Sequence, residues 1–132
     1  MELPSGDRDG DYEIYTMNPD GTGLTQITGD TDRNVLPRWS PDGSEFVFIS
    51  DRDGNREVYT MNTGGTGVRR VTNNSGFDTF PAWSPDGTEL VFQTDRDGND
   101  EVYKINADGS GTPVNLTANS AGDEAPHWSP VQ

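Results

Sequence analysis

Asp-Arg-Asp-Gly is written three times in this chain, at Asp7–Gly10, Asp51–Gly54 and Asp95–Gly98, in steps of 44 and 44 residues. Pro-x-Trp-Ser-Pro recurs at Pro37–Pro41, Pro81–Pro85 and Pro126–Pro130, in steps of 44 and 45. The chain has 132 residues, so three such units account for nearly all of it. A fixed period of about 40–45 residues with strand-rich units is the signature of a propeller built from repeated blades.

The middle unit shows how one blade is encoded. Asp78–Ser84 reads as a first strand, ended by the turn Pro85-Asp86-Gly87. Glu89–Gln93 is an apolar second strand of the kind buried on both faces. Asp95-Arg96-Asp97-Gly98-Asn99 carries the Asp-Gly pair of a tight hairpin. Glu101–Asn106 alternates apolar and polar residues and is a third strand; Ala107–Gly111 turns again, and Pro113–Thr117 is the fourth. Pro113 has no backbone donor, which suits an edge position. Sixteen Gly and nine Pro fall between short apolar runs, the punctuation of many short strands. The expected fold is all-β: four-stranded antiparallel blades, three per chain.

The order Pro-x-Trp-Ser-Pro-Asp-Gly, Val-Phe, Asp-Arg-Asp-Gly-Asn, Val-Tyr, Asn, Gly-x-Gly, Thr resembles the TolB-type β-propeller repeat, over nearly the whole chain. The resemblance implies a ring of six blades. It also implies a periplasmic or extracytoplasmic setting, and kinship with the propellers that precede prolyl-oligopeptidase-like catalytic domains. The chain reads as a single repeat domain, 1–132, with units at about 5–49, 50–93 and 94–132. The first unit starts just before a third strand, with Glu2 and Leu3 where its second strand belongs; the last ends just after a first strand around Trp128. Three blades cannot close a ring, since propellers close with about 4–8. Two copies make six, so the expected partner is the chain itself, a homodimer whose halves complete each other's end blades.

The formal net charge is −14, with one Lys, Lys104, and eight Arg. Nucleic acid is excluded as a partner because no basic footprint exists, and no run of residues approaches membrane-spanning length. Cations and basic proteins or peptides are the electrostatically permitted partners. The acid is concentrated on the loops joining fourth to first and second to third strands. The opposite face takes Asp20, Asp42, Asp86 and Asp108 from its turns. Cysteine is absent, which removes disulfides, thiolate metal sites and thiol nucleophiles.

Three sets of residues are candidates for a site. Five positions before each Trp stand Asn34, Asp78 and Asp123, and one before stand Arg38, Ala82 and His127; both sets are expected at the channel mouth, as ligand groups or, for Asp78 and Asp123, around a divalent cation. The alternating oxygens of Asp51, Asp53 and Asn55, and of Asp95, Asp97 and Asn99, resemble calcium loops. However, Gly stands fourth rather than sixth, and the terminal bidentate Glu is missing. The plainer reading is a hairpin turn whose Asp side chains cap backbone N–H groups and whose Arg8, Arg52 or Arg96 pairs with nearby carboxylates. Trp39, Trp83 and Trp128 are expected to pack between blades. His127 is the single histidine, and no Gly-x-Ser-x-Gly elbow occurs, so no catalytic site is expected. The resulting reading is a non-enzymatic, self-assembling scaffold that binds a protein or peptide. Its alternatives are a calcium-stabilised propeller, the propeller piece of a peptidase, or an engineered repeat protein without a ligand.

Overall fold

The computed structural model describes the backbone of Ser5–Asp7 and residues 11–118, 121–123 and 125–129. Its strands are β1 (Ser5–Asp7), β2 (Tyr12–Thr16), β3 (Thr25–Gln26), β4 (Asn34–Trp39), β5 (Glu45–Ser50), β6 (Glu57–Asn62), β7 (Arg69–Arg70), β8 (Asp78–Trp83), β9 (Glu89–Thr94), β10 (Glu101–Asn106) and β11 (Val114–Asn115). There is no helix among the described residues. Two complete four-stranded antiparallel sheets run in chain order, β4 to β7 and β8 to β11; β1, β2 and β3 form a three-stranded sheet.

All four strands expected in the middle unit are present, the fourth reduced to Val114–Asn115. The approximate unit edges at 49/50 and 93/94 lie at the ends of β5 and β9, and the Asp-Arg-Asp-Gly motif that follows each is, as expected, the turn joining a sheet's two middle strands. The strand that pairs with β2 is Ser5–Asp7; Glu2 and Leu3 lie outside the described residues.

The Ser-Pro-Asp-Gly turns show how local chemistry fixes the first hairpins. Asp42 accepts from the backbone N–H of Ser44 at 3.0 Å and from the Ser40 hydroxyl at 2.7 Å. Asp86 does the same with Thr88 at 3.0 Å and Ser84 at 2.6 Å. Gly43 and Gly87 follow at φ 73°, a conformation glycine adopts without strain.

Burial follows the pleat. Phe46, Val47, Phe48 and Ile49 on β5 are all buried, because the sheet is covered on both faces. Phe46 and Phe48 join Ile14, Tyr59 and Met61, with Ile27 and Trp39 packed alongside, in the core between the first two sheets. Val47, Ile49, Val58 and Val71 join Leu90, Phe92, Tyr103, Ile105 and Trp83 in the core between the second and third. Each such side chain removed from water contributes about 1.5–3 kcal/mol. The sheets are therefore held face to face, with their first strands, β4 and β8, side by side at the inner edge.

Candidate ligand-binding cleft and the blade junctions

Both inner strands are broken by a β-bulge. On β4, Val35 pairs with Ile49 and Arg38 with Val47, so two residues oppose one. On β8 the break lies between Thr79 and Ala82. The residue inside each bulge has a left-handed backbone, with φ 56° at Leu36 and 48° at Phe80, and Ala125 repeats this at 48°. Each precedes a proline, Pro37, Pro81 or Pro126. Bulges bend a strand and re-aim its side chains. Here Leu36, Phe80 and Ala125, with Arg38, Pro81, Pro126 and His127, line one cleft of about 220 Å³. Phe80 is 42% exposed. Among the described residues no carboxylate lines the cleft.

The bulge also separates residues that the sequence placed together. In a regular strand Asn34 and Arg38 would share a face; the extra residue between them reverses the alternation. Arg38 and His127 line the cleft, whereas Asn34 and Asp78 are fully buried between sheets. Asn34 donates through Nδ2 to Asp30 Oδ1 at 2.7 Å and Glu13 Oε2 at 3.2 Å, and its carbonyl accepts from Arg52 Nη2 at 2.9 Å. Asp78 accepts from Asn74 Nδ2 at 2.8 Å and from Arg96 Nη2 at 3.2 Å. Burial pushes the Asp78 carboxyl above its ordinary range, against the opposing effect of hydrogen bonds from Thr94 and Thr72 and of the Arg96 charge. Desolvation likewise raises Glu13, which accepts from Thr28 and Asn34. Asp123, partly buried at the same register, donates its backbone N–H to the Asp100 carbonyl at 2.8 Å.

The Asp-Arg-Asp-Gly-Asn turns are clasps between neighbouring elements. Asp51 accepts from the backbone N–H of Arg33 at 2.9 Å, and Asp95 from that of Phe77 at 2.7 Å. Asp53 accepts from the Tyr59 hydroxyl, and Asp97 from that of Tyr103. Asn55 Nδ2 donates to the carbonyls of Asn74 at 2.9 Å and Gly76 at 2.6 Å, on the loop entering the next sheet; Asn99 Nδ2 reaches the Ala121 carbonyl at 3.0 Å. Arg52 lies over the rings of Phe48 and Tyr59, at 5.6 and 5.0 Å, and Arg96 over Phe92 and Tyr103, at 5.3 and 4.6 Å. Arg8 lies outside the described residues. Among the described residues no group of three or more His, Asp or Glu is arranged to hold a metal ion.

The tryptophans sit between inner strands. Trp83 is buried and donates Nε1–H to the Arg38 carbonyl at 3.1 Å. Trp39 meets Phe46 edge-on at 5.7 Å. Trp128 and His127 share a groove with Arg38, Trp39, Ala82 and Trp83.

With this geometry in hand, the similarity to known proteins is specific. A model of the TolB beta propeller domain matches residues 4–75 and 34–132. The chain belongs to this family. It is similar to a structure assigned to TolB from Agrobacterium tumefaciens, at 30% identity and TM-score 0.79, over 86% of this chain and 44% of that one. It is similar also to TolB from Acinetobacter baumannii, at 28% identity and TM-score 0.78, over 92% of this chain and 30% of that one. The tricorn protease shares the fold, at 17% identity and TM-score 0.64, over 87% and 10%. The chain thus spans less than half the length of these TolB structures. No curated protein matches it.

Proposed function

We propose that this TolB-like chain is a non-enzymatic scaffold. In this reading it self-assembles with a second copy into a six-bladed ring and binds a protein or peptide segment in the cleft between its inner strands. The observation that carries the binding reading is the left-handed backbone repeated at Leu36, Phe80 and Ala125. That conformation costs a non-glycine residue about 1–2 kcal/mol. Phe80 recovers little of this by burial, because its ring stands in the cleft mouth. Strain repeated at one register and facing a cleft is the mark of a site rather than of a core. Apolar walls with a few polar groups, here Arg38 and His127, are the ordinary make-up of a ligand pocket. The acidic clasp loops would add a preference for basic partner surfaces at the rim. The family resemblance supports a periplasmic or extracytoplasmic setting.

A displayed library of random peptides, selected on the intact protein and re-tested on Phe80→Ser, decides the matter. Selected peptides should lose at least about tenfold in affinity on the variant, as expected for a central aromatic anchor. Peptides that bind both proteins equally would place the binding surface elsewhere.

A further inference from the structure

Two contacts recur at the junctions inside this chain and stand open at its outermost sheets; a third, the indole bond of Trp83, is made once, since Trp128 Nε1, like Trp39 Nε1, is shielded from water without an acceptor among the described residues. Trp83 Nε1 donates to the Arg38 carbonyl at 3.1 Å, but Trp39 Nε1, at the same register, is shielded from water and meets no acceptor among the described residues. A Cβ at Gly65 would lie 3.0 Å from the Ile27 carbonyl oxygen, and one at Gly109 3.4 Å from that of Arg70; around Gly21, at the same register, nothing lies within 4 Å. Val71 is 6% exposed in one core with Ile105, and Ile27 packs against the core that holds Met61. Leu116, their equivalent on the last sheet, is 49% exposed, and Met17, equivalent to Met61 and Ile105, is only partly buried.

What one side lacks, the other side carries. At one end, β4 of the second sheet carries an indole donor without an acceptor and the first sheet a turn with nothing beneath it among the described residues. The last sheet presents an apolar side chain that its equivalents bury beneath such a turn, and beyond it the segment 125–129 repeats the inner-strand backbone at Ala125. We infer that a second copy of this chain docks so that Leu116 packs on the partner's Met17 and Gly21 turn, and Trp39 Nε1 donates to the carbonyl of the partner's His127. This rests on the ring reading above and gives it a seam. A second copy fits better than an unrelated occupant because the packing beneath the glycine turn and against the Met61 or Ile105 position is matched at both junctions inside the chain, so the seam continues them. A two-fold axis makes the two seams identical and closes the assembly at six blades.

Light scattering on a size-exclusion column tests the seam. The 132-residue chain should run at twice its 14.4 kDa. Leu116→Lys and Met17→Glu should each run as monomers, because each buries one unpaired charge at both seams. An equimolar mixture should recover the doubled mass, since one seam then sets the introduced cation against the introduced anion and the other keeps both original side chains. As a check independent of charge, the double variant Met17→Cys/Leu116→Cys of this cysteine-free chain should oxidise to a covalent dimer. A wild-type mass of 14.4 kDa would overturn the ring and the seam together. A wild-type dimer whose two charged variants also dimerise would overturn the seam and leave the ring.

Discussion

The two complete junctions do the same work with exchanged residues. Between the first and second sheets, Asn34 donates to Asp30 at 2.7 Å; between the second and third, Asn74, at the register of Asp30, donates to Asp78, at the register of Asn34, at 2.8 Å. The arginine of the clasp follows the acid: Arg52 meets Asp30 at 3.2 Å and Arg96 meets Asp78 at 3.2 Å. A second exchange runs beside the first. Arg33 lies 4.6 Å over the Tyr12 ring, and in the next junction Arg56 lies 6.0 Å over the Phe77 ring, cation and ring having traded places. The lesson is that the pair is the unit under constraint, while either member is free to sit on either side. The exchange is not neutral in electrostatics. The Asp30 side chain keeps 35% of its exposure, whereas Asp78 has none, and Arg70, 3.2 Å from Glu57, stands where the first junction has Gln26.

The comparison can be broken most severely through the cores. Phe48 is fully buried and stacks on Tyr59 at 5.7 Å; Phe48→Ala should cost about 3–5 kcal/mol in urea unfolding, through lost burial and a cavity at the first junction. Asp78→Ala strips Arg96 and Asn74 of their acceptor and should cost about 3 kcal/mol. The exchange Asn74→Asp/Asp78→Asn rebuilds the first junction's arrangement in the second and should return all but about 1 kcal/mol. A double variant no more stable than Asp78→Ala would show that the junctions are not interchangeable. Asp78→Asn sharpens the point through pH. Because burial raises the Asp78 carboxyl, its contribution is complete below the ordinary value of 3.8 and declines as pH rises through the folded value. Melting temperatures should therefore fall more for the wild type than for Asp78→Asn between about pH 4 and neutrality. The smallest effect belongs to the exposed turns. The Ser84 hydroxyl and the Thr88 backbone hold Asp86 down at about 2, so its contribution is complete above the ordinary value of 3.8 and is lost as pH falls from there through about 2. Asp86→Ala should lower the melting temperature slightly at neutral pH and not at all in strong acid.

Strands, turns and family were legible in the sequence because they depend on local chemistry. Asp-Gly and Pro-Asp-Gly announce their turns, and apolar runs such as Phe46–Ile49 announce strands covered on both faces. The cleft was legible only in part. Arg38 and His127 were singled out, but Leu36, Phe80 and Ala125 were not, since a residue before proline is expected to be extended rather than left-handed. The one hint was that an x-Pro step recurs at the same register in all three units. The bulge itself is not announced by the alternation of residues, so the reversal that sets Asn34 apart from Arg38, and Asp78 from Ala82, was not legible either. The clasp roles of Asn55 and Asn99 depend on loops 19 to 22 residues away, which no local pattern displays.

Those clasps have a kinetic consequence. Asn55 secures a loop only 19 to 21 residues ahead of it, and each strand pairs with its neighbour in the chain. Hydrogen bonds that join adjacent sheets, such as Trp83 Nε1 to the Arg38 carbonyl and Arg69 to the Ala107 carbonyl, reach 45 and 38 residues along the chain, about one repeat. Structure can therefore nucleate in either complete sheet and spread to the next, with a smaller loop-closure cost than most all-β topologies carry. During synthesis, β4 to β7 can close before β8 has left the ribosome, and the finished sheet then serves as the template on which its successor folds.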